Sequence, residues 1–161
     1  GGTPNYPYSW APTGSTRSML SNASSGTYPV TVKDSKLCSV INTITLNQPS
    51  DITVTNTSTN ISCNGLSNGA ITINTNGGTS PYSYAWLPLG QTTSSITNIP
   101  AGIYTVNITD SKGCIKTSTY SIIQPNPLVS AISQTNVSCF GGNNGSITLA
   151  VFGGTPGYTY N

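Results

Sequence analysis

Residues 102–109 read Gly-Ile-Tyr-Thr-Val-Asn-Ile-Thr, a segment in which large apolar residues alternate with small polar ones. Tyr104, Val106 and Ile108 fall at every second position. Because successive side chains of a β-strand point to opposite faces, the segment predicts a strand with one buried and one solvated face. It ends at Asp110-Ser111-Lys112-Gly113, a sequence typical of a tight turn.

Similar strand and turn signals continue on both sides of this segment, and no window shows helical periodicity. Val, Ile, Tyr and Thr are abundant, and these residues favour strands. The spacing of short strands and turns is that of a sandwich. Five further strands are predicted. The first begins at Ile52–Thr55 and ends near Cys63, and the others lie around Ile71–Ile73, Tyr82–Trp86, Ser95–Thr97 and Ile115–Ile123. The sequence therefore predicts an all-β protein built from antiparallel β-sandwiches.

The chain repeats itself at a fixed distance of 76 residues. Gly1-Gly2-Thr3-Pro4 recurs as Gly77-Gly78-Thr79-Ser80 and again as Gly153-Gly154-Thr155-Pro156. The same offset relates Gln48-Pro49 to Gln124-Pro125, with no insertion or deletion. A period of this length exceeds that of solenoid repeats and suits a small domain with its own core.

The repeat sets the domain boundaries. The natural unit closes on the Gln-Pro pair, because proline cannot continue a central strand. We therefore expect the later part of a first repeat over residues 1–49, a complete second repeat over 50–125, and the start of a third over 126–161.

Composition excludes several classes of function. Only 5% of the residues are charged and the net charge is +2, so no basic stripe is available to neutralise the phosphates of a nucleic acid. No apolar run approaches the roughly 18 residues that cross a bilayer. Disorder is disfavoured because the apolar alternation runs through the whole chain.

Catalytic and metal-binding constellations cannot be assembled from these residues. The chain has no His and only three acidic residues, so a base beside a nucleophile is not expected, and neither is a calcium site. No cofactor is expected. Asp34 and Asp110 occupy the same repeat position at the start of a turn, and we expect their carboxylates to cap the turn backbone.

Four aromatic residues are expected in the core. Trp10 and Trp86 lie one repeat apart, in step with tyrosines on a predicted strand. The alternative is that these indoles are exposed platforms for glycans. Tyr28 and Tyr104 occupy the position of a sandwich's corner tyrosine, whose hydroxyl bonds to the backbone.

The combined motifs resemble a known family. Cys-Asn-Gly at 63–65, the run from Gly77 to Trp86, Ala-Gly-x-Tyr-x-Val at 101–106 and Asp-x-x-Gly-Cys at 110–114 together resemble the SprB repeat. The name comes from a large gliding adhesin of Bacteroidetes bacteria. A more distant resemblance to PKD and other immunoglobulin-like modules implies tandem immunoglobulin-like sandwiches. Leu37 stands where Gly113 precedes cysteine, which leaves the turn geometry of the first copy open.

The resemblance implies a non-enzymatic region of an exported, multi-repeat adhesin or filament on the outer surface of a Gram-negative bacterium. Delivery by type IX secretion and a link to gliding motility are implied too. Its partners would be neighbouring repeats, the secretion and motility machinery, and surface glycans or other surface proteins. The alternative is an array of carbohydrate-binding or spacer modules attached to a large secreted enzyme.

The four cysteines lack metal-ligand spacing, and two per repeat in a secreted chain indicate disulfides. In an immunoglobulin-like order, the first turn and the last hairpin lie at opposite ends of a module. Seven strands in up-and-down alternation would also put the chain termini of a module at opposite poles. We therefore expect disulfides between successive repeats rather than within one, from the candidates Cys38, Cys63, Cys114 and Cys139.

Overall fold

A computed structural model describes Gly2 and residues 4–161. This part of the chain contains eleven strands and no helix, so the predicted all-β class is confirmed. The glycine turn predicted to open the first copy includes Gly1 and Thr3, which lie outside the described residues. Two compact units are formed, Gly1–Ser50 and Asp51–Asn161.

The first unit is a single three-stranded antiparallel sheet. Its strands are β1 (Tyr8–Trp10), β2 (Gly26–Lys33) and β3 (Ser39–Leu46), in that order across the sheet. Tyr28 and Val30 are buried on one face of β2.

The second unit begins with the complete repeat, whose residues 50–125 are all described. It has six strands: β4 (Thr53–Thr59), β5 (Gly69–Asn76), β6 (Ser83–Leu87), β7 (Ser95–Ile99), β8 (Gly102–Thr109) and β9 (Ile115–Ile122). One antiparallel sheet has the order β4-β5-β7 and the other β6-β8-β9.

The core of the repeat lies between these two sheets. Ile71, Ile73 and Ile96 come from the first sheet, and Trp86 and Val106 from the second, each at most 2% exposed. Burying side chains of this size stabilises the fold by about 1.5–3 kcal/mol each. The other buried members are Ile52, Ile61, Ile99, Tyr104, Ile108 and Ile122. All of these residues belong to one repeat, as expected of a domain with its own core.

The strand registers define two poles of the repeat. At the N-terminal pole Gly78 lies against Ile52 and Asp110, where a Cβ on the glycine would come within 2.9 Å of both. At the C-terminal pole Gly69 lies in the same way against Ile99 and Ile122. Since β4 starts at the first pole and β9 ends at the second, the chain enters and leaves the repeat at opposite poles.

All six strands predicted along the repeat are present, whereas the expected up-and-down alternation of seven strands is not, although the termini still lie at opposite poles. With six strictly alternating strands, the chain would leave at the pole where it entered. Strand β7 starts towards the N-terminal pole, because it runs antiparallel to β5, which ends there. Strand β6 starts at the same pole, because Ser83 pairs with Thr109, next to Asp110, so β6 and β7 point in the same direction. Residues 88–94 carry the chain from one sheet back to the start of β7 in the other without forming a strand. The chain termini of the repeat therefore lie at opposite poles.

The third copy contributes a hairpin of β10 (Val129–Thr135) and β11 (Ser146–Phe152). Strand β10 corresponds residue for residue to β4 at the repeat offset, as β2 and β3 correspond to β8 and β9. The face that is buried in the complete repeat is open in this hairpin: Ile147 is 79% exposed, whereas its equivalent Ile71 is fully buried.

Candidate functional site at the poles of the repeat

Asp110 organises the N-terminal pole. Its Oδ1 accepts hydrogen bonds from the backbone N–H groups of Lys112 (2.9 Å) and Cys114 (2.8 Å). Its Oδ2 accepts the N–H of Thr79 at 2.9 Å. Ser111 completes the contact by donating its N–H and its hydroxyl to the Thr79 carbonyl oxygen, at 2.9 and 3.0 Å. The carboxylate therefore caps its own turn and also ties the hairpin to the glycine turn after β5.

These contacts determine the ionisation of Asp110. The carboxyl is only 5% exposed, and this burial opposes the charged form. The N–H donors of Cys114, Thr79 and Lys112 outweigh burial and lower the pKa of Asp110, with a further contribution from the Cys114 thiol. A carboxylate held by several backbone donors commonly behaves in this way. The charged carboxylate thereby binds the backbone of its own turn and that of the Thr79 turn.

The first copy forms the same turn. Asp34 Oδ1 accepts the N–H groups of Lys36 and Cys38, each at 2.9 Å. Leu37 adopts φ +68°, close to the +83° of Gly113 at the equivalent position. The turn of the first copy therefore has the same geometry as that of the second, which answers the question raised by Leu37. A leucine here adopts a left-handed backbone conformation that is unfavourable for residues with a Cβ.

The aromatic residues expected in the core lie as follows. Trp86 is fully buried, and its Nε1 donates to the Thr93 carbonyl oxygen at 2.8 Å. Tyr104 is 2% exposed, and its hydroxyl donates to the Pro100 carbonyl oxygen at 2.8 Å. Burial raises the pKa of this hydroxyl. With its indole enclosed, Trp86 offers no platform for a sugar.

The first copy repeats these contacts on its open sheet. Trp10 Nε1 donates to the Arg17 carbonyl oxygen at 2.9 Å, and Tyr28 donates to that of Ser24 at 2.9 Å. Tyr28 is buried, whereas Trp10 is half-buried because only one sheet of its sandwich is present in this unit.

The C-terminal pole holds the segment that leaves the repeat. Asn64 Nδ2 donates to the Pro125 carbonyl oxygen at 3.0 Å, and the Gly65 N–H donates to Gln124 Oε1 at 2.9 Å. The Cys63-Asn64-Gly65 turn therefore binds the Gln-Pro linker through two hydrogen bonds. Sequence reasoning assigned no role to Gln124 beyond a boundary; its recurrence as Gln48 was the available signal.

The third copy holds the other side of the same linker. The Gly154 N–H donates to the Asn126 carbonyl oxygen at 2.8 Å. Thr155 Oγ1 donates to the carbonyl oxygen of Ser62, in the preceding repeat, at 3.2 Å. We call this set of contacts around residues 124–126 the joint. The glycine turn of one copy thus meets the cysteine turn of the copy before it.

The four cysteines are exposed, and none is paired with another. Cys63 follows Ile61, which lies at the C-terminal pole against Gly69, whereas Cys114 ends the Asp110 hairpin at the N-terminal pole. The eight residues of β8 separate these poles by about 25 Å at roughly 3.3 Å per residue. A disulfide requires Cα atoms within about 7 Å, so the two cannot pair within one repeat.

Over the residues that the structure describes, no three His, Cys, Asp or Glu side chains gather as metal ligands do. A search of the same residues for a helix able to span a membrane also finds none.

Two segments of the chain are similar to a known repeat family. The chain matches no curated protein and no solved structure. The model of one family, the SprB repeat, matches residues 55–91 and 131–161. The two matched segments start 76 residues apart, at the repeat offset. The resemblance predicted from the sequence is thus confirmed, and these two segments of the chain are matches to the SprB repeat family.

Proposed function

We propose that this chain is a non-enzymatic repeat region of a secreted cell-surface adhesin, in which it serves as an extended stalk and a multivalent attachment surface. The protein would lie on the outer surface of a Gram-negative bacterium of the Bacteroidetes group. It would be exported by type IX secretion and linked to gliding motility. The match to the SprB repeat supports this proposal.

The observation that carries the proposal is the joint. Asn64 and Gly65 hold the linker from the preceding repeat, and Gly154 holds it from the following one. A linker bonded on both sides cannot behave as the flexible coil of a Gly/Ser-rich tether. Repeats that receive and release the chain at opposite poles then extend in one direction, as a stalk requires.

Repetition also supports the attachment role. The repeats recur in register every 76 residues, so a weak contact made by each copy would be multiplied along the stalk into avidity. In the complete repeat the outward positions of β4 are threonines, which are uncharged hydrogen-bonding groups. Neutral surface glycans or other surface proteins are the partners that such faces suit. The alternative array of carbohydrate-binding modules loses its aromatic platform, because Trp86 is buried.

Antibody labelling of the source organism tests the proposal. Antibodies raised against residues 1–161 should label intact cells, and the label should move along the surface of gliding cells. Protease treatment of intact cells should remove it. Labelling that appears only after the cells are permeabilised would contradict a surface location. A surface label that stays fixed on gliding cells would contradict the link to motility.

A further inference from the structure

We propose that successive repeats are cross-linked by a disulfide between the cysteine of the Cys63 turn in one repeat and the hairpin cysteine, equivalent to Cys114, in the next. The inference goes beyond adhesion, because it requires only that two repeats follow one another in register. It is carried by two sets of contacts next to the joint and by a third set at the N-terminal pole of the complete repeat, whose equivalent in the next repeat faces the joint.

The first set fixes the Cys63 turn. Ser62 is held by Asn68, which accepts the Ser62 N–H at 3.3 Å and donates to the Ser62 hydroxyl at 2.7 Å. Asn64, on the other side of the cysteine, is bonded to Pro125. The exposed Cys63 therefore lies between two anchored residues, directly beside the linker.

The second set brings the next repeat to this turn. Thr155 donates to the Ser62 carbonyl oxygen, one residue before Cys63. Thr155 is the equivalent of Thr79 at the repeat offset, so this contact places the N-terminal pole of the third copy against the C-terminal pole of the second.

The third set locates the hairpin cysteine relative to that threonine. In the complete repeat one carboxylate, that of Asp110, binds the N–H of Thr79 through Oδ2 and the N–H of Cys114 through Oδ1. A hairpin of the same sequence in the third repeat would hold its cysteine beside Thr155 and hence beside Cys63. Both cysteines of such a pair lie on exposed turns. Small movements of these turns can bring the two Cα atoms within the roughly 7 Å that a disulfide requires.

The chemistry is a thiol–disulfide exchange with an external disulfide, such as oxidised glutathione. One cysteine thiolate attacks the oxidant, forms a mixed disulfide and releases one reduced thiol. The second cysteine thiolate attacks the mixed disulfide at the protein sulfur and releases the other reduced thiol. The two cysteines lose two electrons and two protons, and the oxidant becomes two thiols.

The test uses the full chain with its third repeat completed. Because residues 153–161 align with 77–85, fusing a second copy of Trp86–Pro125 after Asn161 closes the repeat in register. A Cys114→Ser change in the original copy leaves two hairpin cysteines, Cys38 in the first copy and the one in the added segment. After refolding with oxidised glutathione, non-reducing peptide mapping should join Cys63 to that added cysteine, with Cys38 and Cys139 open to alkylation. The same chain carrying Cys63→Ser should leave the added cysteine open to alkylation.

Alkylation of Cys63 in a folded fusion, or its pairing with Cys38 or Cys139, would overturn the proposal. If near-ultraviolet circular dichroism shows that the added repeat does not fold, a Thr155→Cys change in residues 1–161 decides instead. The new cysteine should cross-link to Cys63 under the same oxidant, because Thr155 already contacts Ser62. Failure of that cross-link would also overturn the proposal.

Discussion

Asp110 accepts the backbone N–H of Thr79, which lies 31 residues earlier in the chain, at 2.9 Å. One carboxylate thereby connects the last hairpin of the repeat to the turn between its two sheets. The same turn in the next copy contacts Ser62 through Thr155. The geometry of the joint therefore depends on how firmly each repeat holds its own N-terminal pole.

Acid should weaken the complete repeat through Asp110. Its pKa is lowered in the folded state, below the ordinary aspartate value of about 3.9. Its contribution to stability is therefore fully present above that ordinary value, and is lost as the pH falls through the folded pKa. Urea unfolding between pH 6 and pH 2 should show this loss, and Asp110→Asn should flatten the dependence. The matched control is Asp51→Asn, since Asp51 is exposed in a 3.6 Å surface pair with Lys116. An unchanged profile in Asp110→Asn would contradict the role assigned to Asp110.

Leu37→Gly should stabilise the first copy's turn, because Leu37 adopts φ +68° and 78% of its side chain is exposed. Glycine relieves about 1 kcal/mol of left-handed backbone strain at no cost in packing. Hydrogen exchange at the Cys38 amide, which donates to Asp34, should slow by about fivefold.

The reciprocal change supplies the control for this strain. Gly113→Leu should speed exchange at the Cys114 amide by a similar factor, since Gly113 has φ +83°. Equal exchange rates in the wild type and both variants would show that the left-handed residue carries no strain.

Trp86→Ala should destabilise the complete repeat by about 3–5 kcal/mol, because the indole is fully buried between the two sheets. Far-ultraviolet circular dichroism in urea measures the loss. Ile103→Ala is the control: Ile103 lies on β8 beside Tyr104 but is 70% exposed, so its loss should stay within about 0.5 kcal/mol. A loss of stability below about 1 kcal/mol for Trp86→Ala would indicate that the indole is exposed, and would favour its interpretation as a glycan-binding platform.

Gln124→Ala should loosen the joint without unfolding the repeat. The Gly65 N–H donates to Gln124 Oε1 at 2.9 Å, so its hydrogen exchange should accelerate when this acceptor is removed. The midpoint of unfolding should hardly move, because Gln124 is exposed. Gln134→Ala, at an exposed position of β10, should leave Gly65 exchange unchanged. Unchanged hydrogen exchange at Gly65 in the Gln124→Ala variant would show that Gln124 does not hold the Gly65 N–H at the joint.

Local pattern predicted those parts of the fold that have a strict period. Strand β8 matches its predicted core because Tyr104, Val106 and Ile108 alternate with polar residues. Strand β4 ends at Thr59, short of the predicted end near Cys63, because its pairing with β5 stops there and Ile61 donates its N–H to Ile123 instead. The change of sheet at 88–94 has no local signal, which is why a strict up-and-down alternation was wrongly expected.

The contacts of the joint could not be predicted from local sequence patterns either, because they connect residues far apart in the chain. The bond from Gly65 to Gln124 spans 59 residues, and that from Ser62 to Thr155 spans 93. Such contacts depend on the tertiary placement of the two poles. The recurrence of Gln48 as Gln124 marked the position without revealing its partner.

The central claim is that successive repeats are joined pole to pole by a stiff linker, and one distance tests it most directly. Cys63 and Cys139 are exposed and occupy equivalent turns one repeat apart. With Cys38 and Cys114 changed to serine, spin labels on these two cysteines report the step from one repeat to the next. We predict a single narrow distance distribution centred at or above about 25 Å, the length of an eight-residue strand. A broad distribution, or a centre well below that length, would contradict the stiff pole-to-pole joint.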